Sequence, residues 1–253
     1  MRDGYSIFDT HVHIGDALHS GREHRASMLL AEMDRYGIDR SLAIPFPMVS
    51  SYREAHDEIG KAVHDHPDRF TGAACLNPYL PLPEFRDEVR RCREQYGFCA
   101  LKLQPQFQPL DPSSARSDFL FETALENKMA VVCHTGSGIP YALPSLFMLP
   151  ARKFPTLNFV LAHCGGGGML LQEAIVAALF CPNIYLELST VMPNHVAHVL
   201  AQVAAERLMV GSDLPENIDV EIGKIVHLAA KEGVKRAILW EAAITVFGVG
   251  GKQ

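Results

Sequence analysis

A regular alternation of short apolar segments with longer amphipathic ones constrains this chain more than any other feature. In the stretch LPEFRDEVRRCREQYG the apolar positions recur every three or four residues, which indicates one face of a helix. Other segments are short and almost continuously apolar, as strands buried on both faces of a parallel sheet are. These predicted strands cover residues 6–14, 41–47, 70–77, 98–104, 129–135, 157–164, 183–189 and 207–213.

The order of these segments predicts the fold. Strands that alternate with helices form βαβ units, and such units build a parallel sheet. Eight units in 253 residues, without a linker-like stretch, favour a closed (β/α)8 TIM barrel over an open doubly wound sheet. We therefore expect a single α/β domain over residues 1–253. The segments 104–118 and 135–146 are long for loops that follow barrel strands, so we expect them to shape a pocket.

The composition excludes several classes of function. Basic residues number 23 and acidic residues 29, so neither nucleic acid nor an anionic membrane surface is an expected partner. No apolar run approaches the roughly 20 residues that a membrane-spanning helix needs. The first residues also lack a secretory signal, so we expect a cytoplasmic protein with a small-molecule substrate, and a homodimer stays open. The six cysteines show no CxxC spacing and are expected to be buried as small apolar residues.

Metal-binding side chains follow four of the predicted strands. His11 and His13 end the first strand and point to the same face, because side chains alternate along a strand. His134, His163 and Asp213 follow the fifth, sixth and eighth strands. The carboxyl ends of all barrel strands meet at one mouth, so we expect these residues to surround one site. Nitrogen and oxygen ligands suit Zn²⁺, with iron, manganese or cobalt as alternatives.

The HxH pattern alone is a weak signal. It recurs at His64 and His66, where Pro67 follows, and there we interpret it as a solvated end of a helix. A single histidine after a strand is also more often structural than a metal ligand. The prediction of a metal site depends instead on four histidines and one aspartate at the same level of four strands.

The motifs around these residues resemble those of the amidohydrolase superfamily of metal-dependent enzymes. The similarity extends over nearly the whole chain, in the segments IFDTHVHIG, PDRFTG, FCALKLQP, VVCHTG, LAHCGGG, MVGSDLP and ILWEAAITVFGV. It is greatest to the branch that includes aminocarboxymuconate semialdehyde decarboxylase and small lactonases. The resemblance implies that His11, His13, His134 and Asp213 contact the metal. It also implies that His163 moves protons or polarises the substrate.

The resemblance implies a metal-dependent hydrolase that cleaves a C–N, ester or lactone bond of a small molecule. One zinc ion per chain would activate the attacking water, and Asp213 would be both a ligand and the acceptor of the water's proton. The alternative is a non-oxidative decarboxylase of a small carboxylated substrate, because the ligands alone do not separate the two reactions. A barrel that binds a ligand without catalysis is disfavoured, because the set of five residues is intact.

Three further residues are expected to contact the substrate. Lys102 and Gln104 end the fourth strand, although relatives often have histidine at the place of Gln104. In several amidohydrolases a lysine on this strand is carboxylated and bridges two metals. We favour instead an unmodified Lys102 paired with Asp9 or Glu187, because an unpaired buried charge is costly. Arg53, after the second strand, is the basic candidate for a substrate carboxylate, although such residues more often form surface ion pairs.

Overall fold

The structure is a computed structural model that describes residues 1–138 and 140–248. Residue 139, in a predicted pocket loop, and residues 249–253, at the end of the predicted domain, lie outside the described residues. The strands are β1 (Phe8–Ala17), β2 (Arg22–His24), β3 (Arg40–Pro45), β4 (Phe70–Ala74), β5 (Ala100–Leu103), β6 (Ala130–His134), β7 (Phe159–Ala162), β8 (Ile184–Glu187) and β9 (Leu208–Met209). All neighbouring strands pair in parallel except β2, which pairs antiparallel with the end of β1.

Helices separate consecutive parallel strands and pack outside them. They are α1 (Ala26–Tyr36), α2 (Tyr52–Asp65), α3 (Leu82–Tyr96), α4 (Asp118–Glu126), α5 (Met148–Lys153), α6 (Leu171–Phe180), α7 (Pro193–Leu200), α8 (Ile218–Val226), α9 (Glu232–Arg236) and α10 (Ala242–Phe247), with a π-helix over Ala237–Glu241. None of the helices in the described ranges is long and apolar enough to cross a bilayer.

Hydrogen bonds between β1 and the segment after β9 join the two ends of the curled sheet. The Thr10 N–H donates to the Val210 carbonyl at 2.9 Å, and the His13 N–H donates to the Asp213 carbonyl at 3.1 Å. The predicted (β/α)8 barrel and all eight of its strands are therefore confirmed. The sequence did not indicate β2, because its three residues are polar and give no apolar run.

Apolar side chains fill the barrel and seal its amino-terminal end. The interior holds residues from alternate positions of the strands, such as Leu42, Val132 and Val160. Phe8 packs against Trp240 and Phe247 of the last helical segments, at ring-centroid distances of 6.1 and 5.9 Å. The six cysteines are buried and form no disulfide. The predicted metal-binding residues lie at the opposite, carboxyl-terminal end of the barrel.

Helix α2 behaves as its sequence predicts at both ends. The Ser51 hydroxyl accepts a hydrogen bond from the Glu54 N–H at 3.3 Å and caps the first turn. The helix ends at Asp65, and His64 is exposed there. The second HxH sequence of the chain is therefore a solvated helix end, as expected, and it lies beside the start of β4.

A buried carboxylate joins α2 to α3. Glu88 accepts hydrogen bonds from His56 Nδ1 at 2.8 Å and from Arg91 Nη2 at 2.7 Å. His56 Nε2 in turn accepts the N–H of Cys75, just after β4, at 2.9 Å. Burial alone would raise the pKa of Glu88, but the hydrogen bonds from His56 and Arg91 outweigh it and lower this pKa to about 2. The ionised carboxylate therefore stabilises the packing of the two helices.

We predict that Glu88→Gln lowers the free energy of unfolding at pH 7 by about 2–4 kcal/mol, because the buried His56 N–H and the Arg91 guanidinium lose the carboxylate to which they donate. A carboxylate with a lowered folded-state pKa stabilises the fold above its unfolded pKa. That stability disappears as the pH falls through the folded value. The difference between wild type and variant should therefore shrink from about pH 5 towards pH 2, as measured by denaturant unfolding.

The control is Asp87→Asn on the same helix, which removes an exposed ion pair with Arg90. Exposed pairs contribute less than about 1 kcal/mol, so this variant should unfold almost like the wild type. A loss of stability for Glu88→Gln that is equally large at pH 7 and pH 2.5 would contradict the assignment.

Candidate active site

Four histidines and one aspartate surround the carboxyl-terminal mouth of the barrel. His13, His134, His163 and Asp213 line a cavity of about 260 Å³, and His11 is buried against them. The ring centroids of His11 and His163 are 4.9 Å apart, and those of His134 and His163 are 4.8 Å apart. The structure thus brings all five predicted residues to one place.

Backbone strain marks the same end of the barrel. His163, Thr190 and Asp213 follow β7, β8 and β9, and their φ angles of 65°, 63° and 66° lie in the left-handed region. Side chains rarely adopt this conformation, least of all β-branched ones such as threonine. After His163 the left-handed backbone continues through Cys164 and the glycine run 165–168. Strain of this kind persists only where the surrounding structure fixes it, and here it turns three loops sharply at the cavity.

Three side-chain atoms converge closely enough to share one metal ion. His11 Nε2 lies 3.2 Å from His13 Nε2, and Asp213 Oδ1 lies 3.6 and 3.8 Å from these two nitrogens. Two ligand atoms that are each about 2.1 Å from a tetrahedral ion are about 3.4 Å apart. The observed spacing therefore fits a divalent cation.

The proton positions on the two histidines support the same conclusion. His13 Nδ1 donates to the Pro45 carbonyl at 3.0 Å, and His11 Nδ1 donates to Glu187 Oε2 at 3.1 Å. Both Nε2 atoms are then unprotonated and present lone pairs to each other, an arrangement that a shared cation stabilises. Burial, followed by the charge of Lys102, lowers the pKa of His13 to about 3 and that of His11 well below its ordinary value. Neutral imidazoles of this kind are suitable metal ligands.

His134 lies at the margin of this group. Its Nε2 donates to the Ser137 carbonyl at 2.9 Å, and it is not among the ligand atoms that lie within 4.8 Å of one another. With the proton on Nε2, Nδ1 is the nitrogen that can accept a metal. The assignment of His134 as a fourth ligand stays a prediction.

Lys102 enters the site from β5 and is completely buried. Its Nζ lies 2.8 Å from His11 Nε2. Among the described contacts, the expected ion pair with Asp9 or Glu187 is not found, because other donors occupy these carboxylates. The Asp9 carboxylate, for example, accepts the N–H of Ser212 at 2.9 Å and its hydroxyl at 2.6 Å. Burial lowers the pKa of Lys102 to about 8. Its ammonium group, beside the metal-binding atoms, therefore loses a proton more readily than an exposed lysine does.

The other two candidate substrate residues, Gln104 and Arg53, lie in different parts of the structure. Gln104 lines the cavity. Arg53 lies in the first turn of α2, outside the cavity, with its side chain 54% exposed and its Nε 3.6 Å from Glu88 Oε2. Arg53 therefore forms an ion pair on the outside of the barrel and does not line this cavity.

The basic residue of the cavity is Arg22, which sequence reasoning missed. The turn after β1 folds β2 back over the mouth, so that Arg22 lines the cavity and pairs with Glu216, shortly after Asp213. The only signal was the Ser20–Gly21 turn, which is typical of a hairpin loop. The cavity thus combines metal-binding atoms with a guanidinium group.

Aromatic rings form two of the cavity walls. Phe46 stacks on His13 at a centroid distance of 5.3 Å and an interplanar angle of 18°. Phe107 packs against His19 at 4.8 Å on the loop after β5, which the sequence predicted as a pocket-forming loop. Flat walls of this kind favour a planar substrate.

A buried network under the cavity connects His11 to His163. Glu187 Oε2 accepts hydrogen bonds from His11 Nδ1 at 3.1 Å, from the His163 N–H at 3.2 Å and from the Ser189 hydroxyl at 2.8 Å. The Ser189 oxygen also lies 2.8 Å from His163 Nδ1. Burial raises the pKa of Glu187 to about 7, although the hydrogen bonds from Ser189 oppose the shift. The sequence suggested Glu187 only as a partner of Lys102 and gave no signal for Ser189.

Comparisons with known proteins identify the family and support the fold. A family model described as amidohydrolase matches residues 8–249. No match is found among curated proteins. The fold is similar to that of 5-carboxyvanillate decarboxylase from Sphingomonas paucimobilis, with a TM-score of 0.78 and 16% identity over 98% of this chain and 100% of that one.

Two further solved structures have the same fold. One is a dihydroxybenzoic acid decarboxylase from Polaromonas with bound manganese and 2-nitroresorcinol, with a TM-score of 0.74 and 16% identity over 97% of each chain. The other is 4-oxalomesaconate hydratase from Rhodopseudomonas palustris, with a TM-score of 0.74 and 17% identity over 96% of this chain and 95% of that one. At such identities the similarity establishes the fold.

We predict that the purified protein binds about one divalent ion per chain and that His11→Asn or His13→Asn abolishes this binding, because each removes a ligand nitrogen. Elemental analysis and a chelator competition with Zn²⁺ or Mn²⁺ measure the effect. His64→Asn and His66→Asn, in the exposed HxH sequence, are matched controls that should keep the metal. Metal loss in the controls alone, or a protein that binds no divalent ion, would refute the site.

Proposed function

Since the chain belongs to the amidohydrolase family, we propose that it is a metal-dependent decarboxylase of a small, planar carboxylic acid. The observation that carries the proposal is the position of Arg22, which lines the same cavity as His13 and Asp213. A guanidinium group is the side chain best suited to hold a carboxylate. The stacked Phe46 supports a flat ring as the body of the substrate.

Similar solved structures support this choice of reaction. Two of them are named as decarboxylases of 5-carboxyvanillate and of dihydroxybenzoic acid, and the second contains manganese. We therefore propose one divalent ion per chain, manganese or zinc, held by His11, His13 and Asp213, with His134 as the fourth ligand. Bound there, the ion would supply Lewis acidity that polarises an oxygen of the substrate.

The residues of the chain divide the remaining tasks. Decarboxylation adds one proton to the carbon that carries the carboxylate, after which the C–C bond breaks, its electron pair returns to the ring and CO₂ leaves. His163 Nε2 and Asp213 Oδ1 are 4.0 Å apart at the cavity, and we propose that this pair takes up a proton from solvent and delivers it to that carbon. Burial raises the pKa of Asp213 to about 6, although Lys102 opposes the shift. Gln104 and Arg22 would orient the substrate from the loops.

Hydrolysis of a C–N, ester or lactone bond is the second candidate function. The observation that favours it is the position of Asp213, whose Oδ1 lies within 4.0 Å of His11, His13 and His163, where it could accept a proton from water. One structure of similar fold is named as a hydratase, so this fold also supports chemistry with water. The cationic wall at Arg22 favours decarboxylation between the two.

The test is product analysis with Mn²⁺- or Zn²⁺-loaded protein and a panel of hydroxybenzoates, carboxylated methoxyphenols, lactones, esters and amides. We expect CO₂ release from a carboxylated phenol and, in D₂O, deuterium at the vacated carbon. His163→Asn should keep the metal and lower turnover about 100-fold or more, the usual contribution of acid–base catalysis. The exposed His198→Asn on α7 is the control. Hydrolysis of a lactone or amide, with no CO₂ from any acid, would establish the second candidate instead.

A second prediction concerns recognition of the carboxylate. Arg22→Gln should raise KM about 10- to 100-fold with a smaller change in kcat, because a charge-assisted hydrogen bond contributes about 1.5–3 kcal/mol. Arg53→Gln, the exposed arginine on α2, is the matched control and should leave KM unchanged. Steady-state kinetics with the best substrate of the panel measure both. Equal KM values for Arg22→Gln and wild type would exclude Arg22 as the carboxylate receptor.

A further inference from the structure

We infer that Glu187 and Ser189 are positioning residues that fix the ring tautomers of His11 and His163 together. One buried carboxylate would thereby serve both metal binding and proton movement. The inference rests on the roles proposed above for the two histidines, but it holds whichever bond of the substrate is cleaved. It is carried by hydrogen-bond geometry at four donors around one carboxylate.

The first step is that these contacts leave Glu187 Oε2, the oxygen that faces the His11 ring, only as an acceptor. The donors around its two oxygens are the His11 ring, the backbone N–H groups of His163 and Ser189, and the Ser189 hydroxyl. Three of these donors meet at Oε2, which leaves no lone pair for a proton on that oxygen. His11 must therefore carry its proton on Nδ1, and its Nε2, which lies 2.8 Å from Lys102 Nζ, is the unprotonated nitrogen that can accept a metal.

The second step transfers the same constraint to His163. The Ser189 hydroxyl donates its single proton to Glu187 Oε2 at 2.8 Å. The Ser189 oxygen can then only accept from His163 Nδ1, which lies 2.8 Å away. His163 therefore also carries its proton on Nδ1, and its unprotonated Nε2 is directed towards Asp213 at 4.0 Å. A single hydroxyl orientation thus determines which nitrogen of His163 faces the substrate.

The third step is that the residues packed around the Glu187 carboxylate hold it in one position. A Cβ atom at Gly211 would lie 2.7 Å from Glu187 Oε1 and 2.7 Å from His11 Cβ, so only glycine allows the approach. Lys224 on α8 donates to the carbonyls of Leu188 and Val191, each at 2.7 Å, on both sides of Ser189. Such a supported hydrogen-bond network holds its members in one arrangement.

Two variants separate the branches of this network. Ser189→Ala interrupts only the branch to His163, so Zn²⁺ affinity should change by less than about threefold while turnover falls about tenfold. Glu187→Gln places an NH₂ group among donors and disturbs both branches, so Zn²⁺ affinity should fall about 10- to 100-fold. Thr123→Ala on α4, which also removes a buried hydroxyl, is the control and should change neither quantity.

The decisive readout is ¹⁵N NMR of histidine-labelled, metal-free protein, which distinguishes protonated from unprotonated ring nitrogens without any substrate. We expect His11 and His163 as Nδ1–H tautomers in the wild type, and a mixture at His163 alone in Ser189→Ala. A chelator competition with Zn²⁺ alone gives the affinities. Because neither measurement uses turnover, failure of the proposed reaction leaves the inference standing.

Three outcomes would overturn the inference. The first is an Nε2–H tautomer of His163 in the wild type, and the second is an unchanged His163 tautomer in Ser189→Ala. The third is wild-type Zn²⁺ affinity in folded Glu187→Gln. Should Glu187→Gln not fold, the spectra of the wild type and of Ser189→Ala still test the inference. The Ser189 hydroxyl has the inferred orientation only if Glu187 accepts its proton.

Discussion

Burial of many ionisable groups at one end of an otherwise apolar barrel is the constraint on which the rest of the structure depends. Burial lowers the pKa of the four histidines, lowers that of Lys102 and raises those of Asp213 and Glu187. Each group must therefore be neutral or hydrogen-bonded, because an isolated buried charge costs several kcal/mol. A divalent cation between neutral nitrogens and a carboxylate satisfies this requirement. The polar mouth is thus arranged for a positive ion before any substrate binds.

Closure of the barrel and assembly of the metal-binding group are the same structural event. Asp213 contributes its carbonyl to the hydrogen bond that joins the last strand region to His13, while its carboxylate faces the two ring nitrogens of β1. The left-handed conformation of Asp213 makes both contacts compatible. The first and last thirds of the chain must therefore pair before the three ligand atoms come together.

Sequence patterns predicted the site residues that are placed by strands and missed the site residues that are placed by short irregular segments. Apolar runs located every barrel strand, and the meeting of His11 in β1 with Asp213 after β9 followed from the barrel's geometry. Arg53 was chosen because it follows a strand in sequence, but the cavity takes Arg22 from a hairpin of three polar residues, which has no periodicity to detect. Ser189 could not be found either, because its role depends on the orientation of one hydroxyl rather than on residue type.

The ligand set cannot decide the reaction, because the same nitrogen and carboxylate atoms suit a bound water or a bound substrate oxygen. The type of reaction depends instead on the side chains that enter the cavity from loops. In this structure β2 brings Arg22 over the mouth and Glu216 pairs with it, so the hairpin is tied to the loop that carries Asp213. An anionic substrate can compete with Glu216 for this guanidinium, whereas a neutral amide or lactone gains nothing from it. The guanidinium of Arg22, more than the metal ligands, is therefore the feature on which our proposal of decarboxylation over hydrolysis depends.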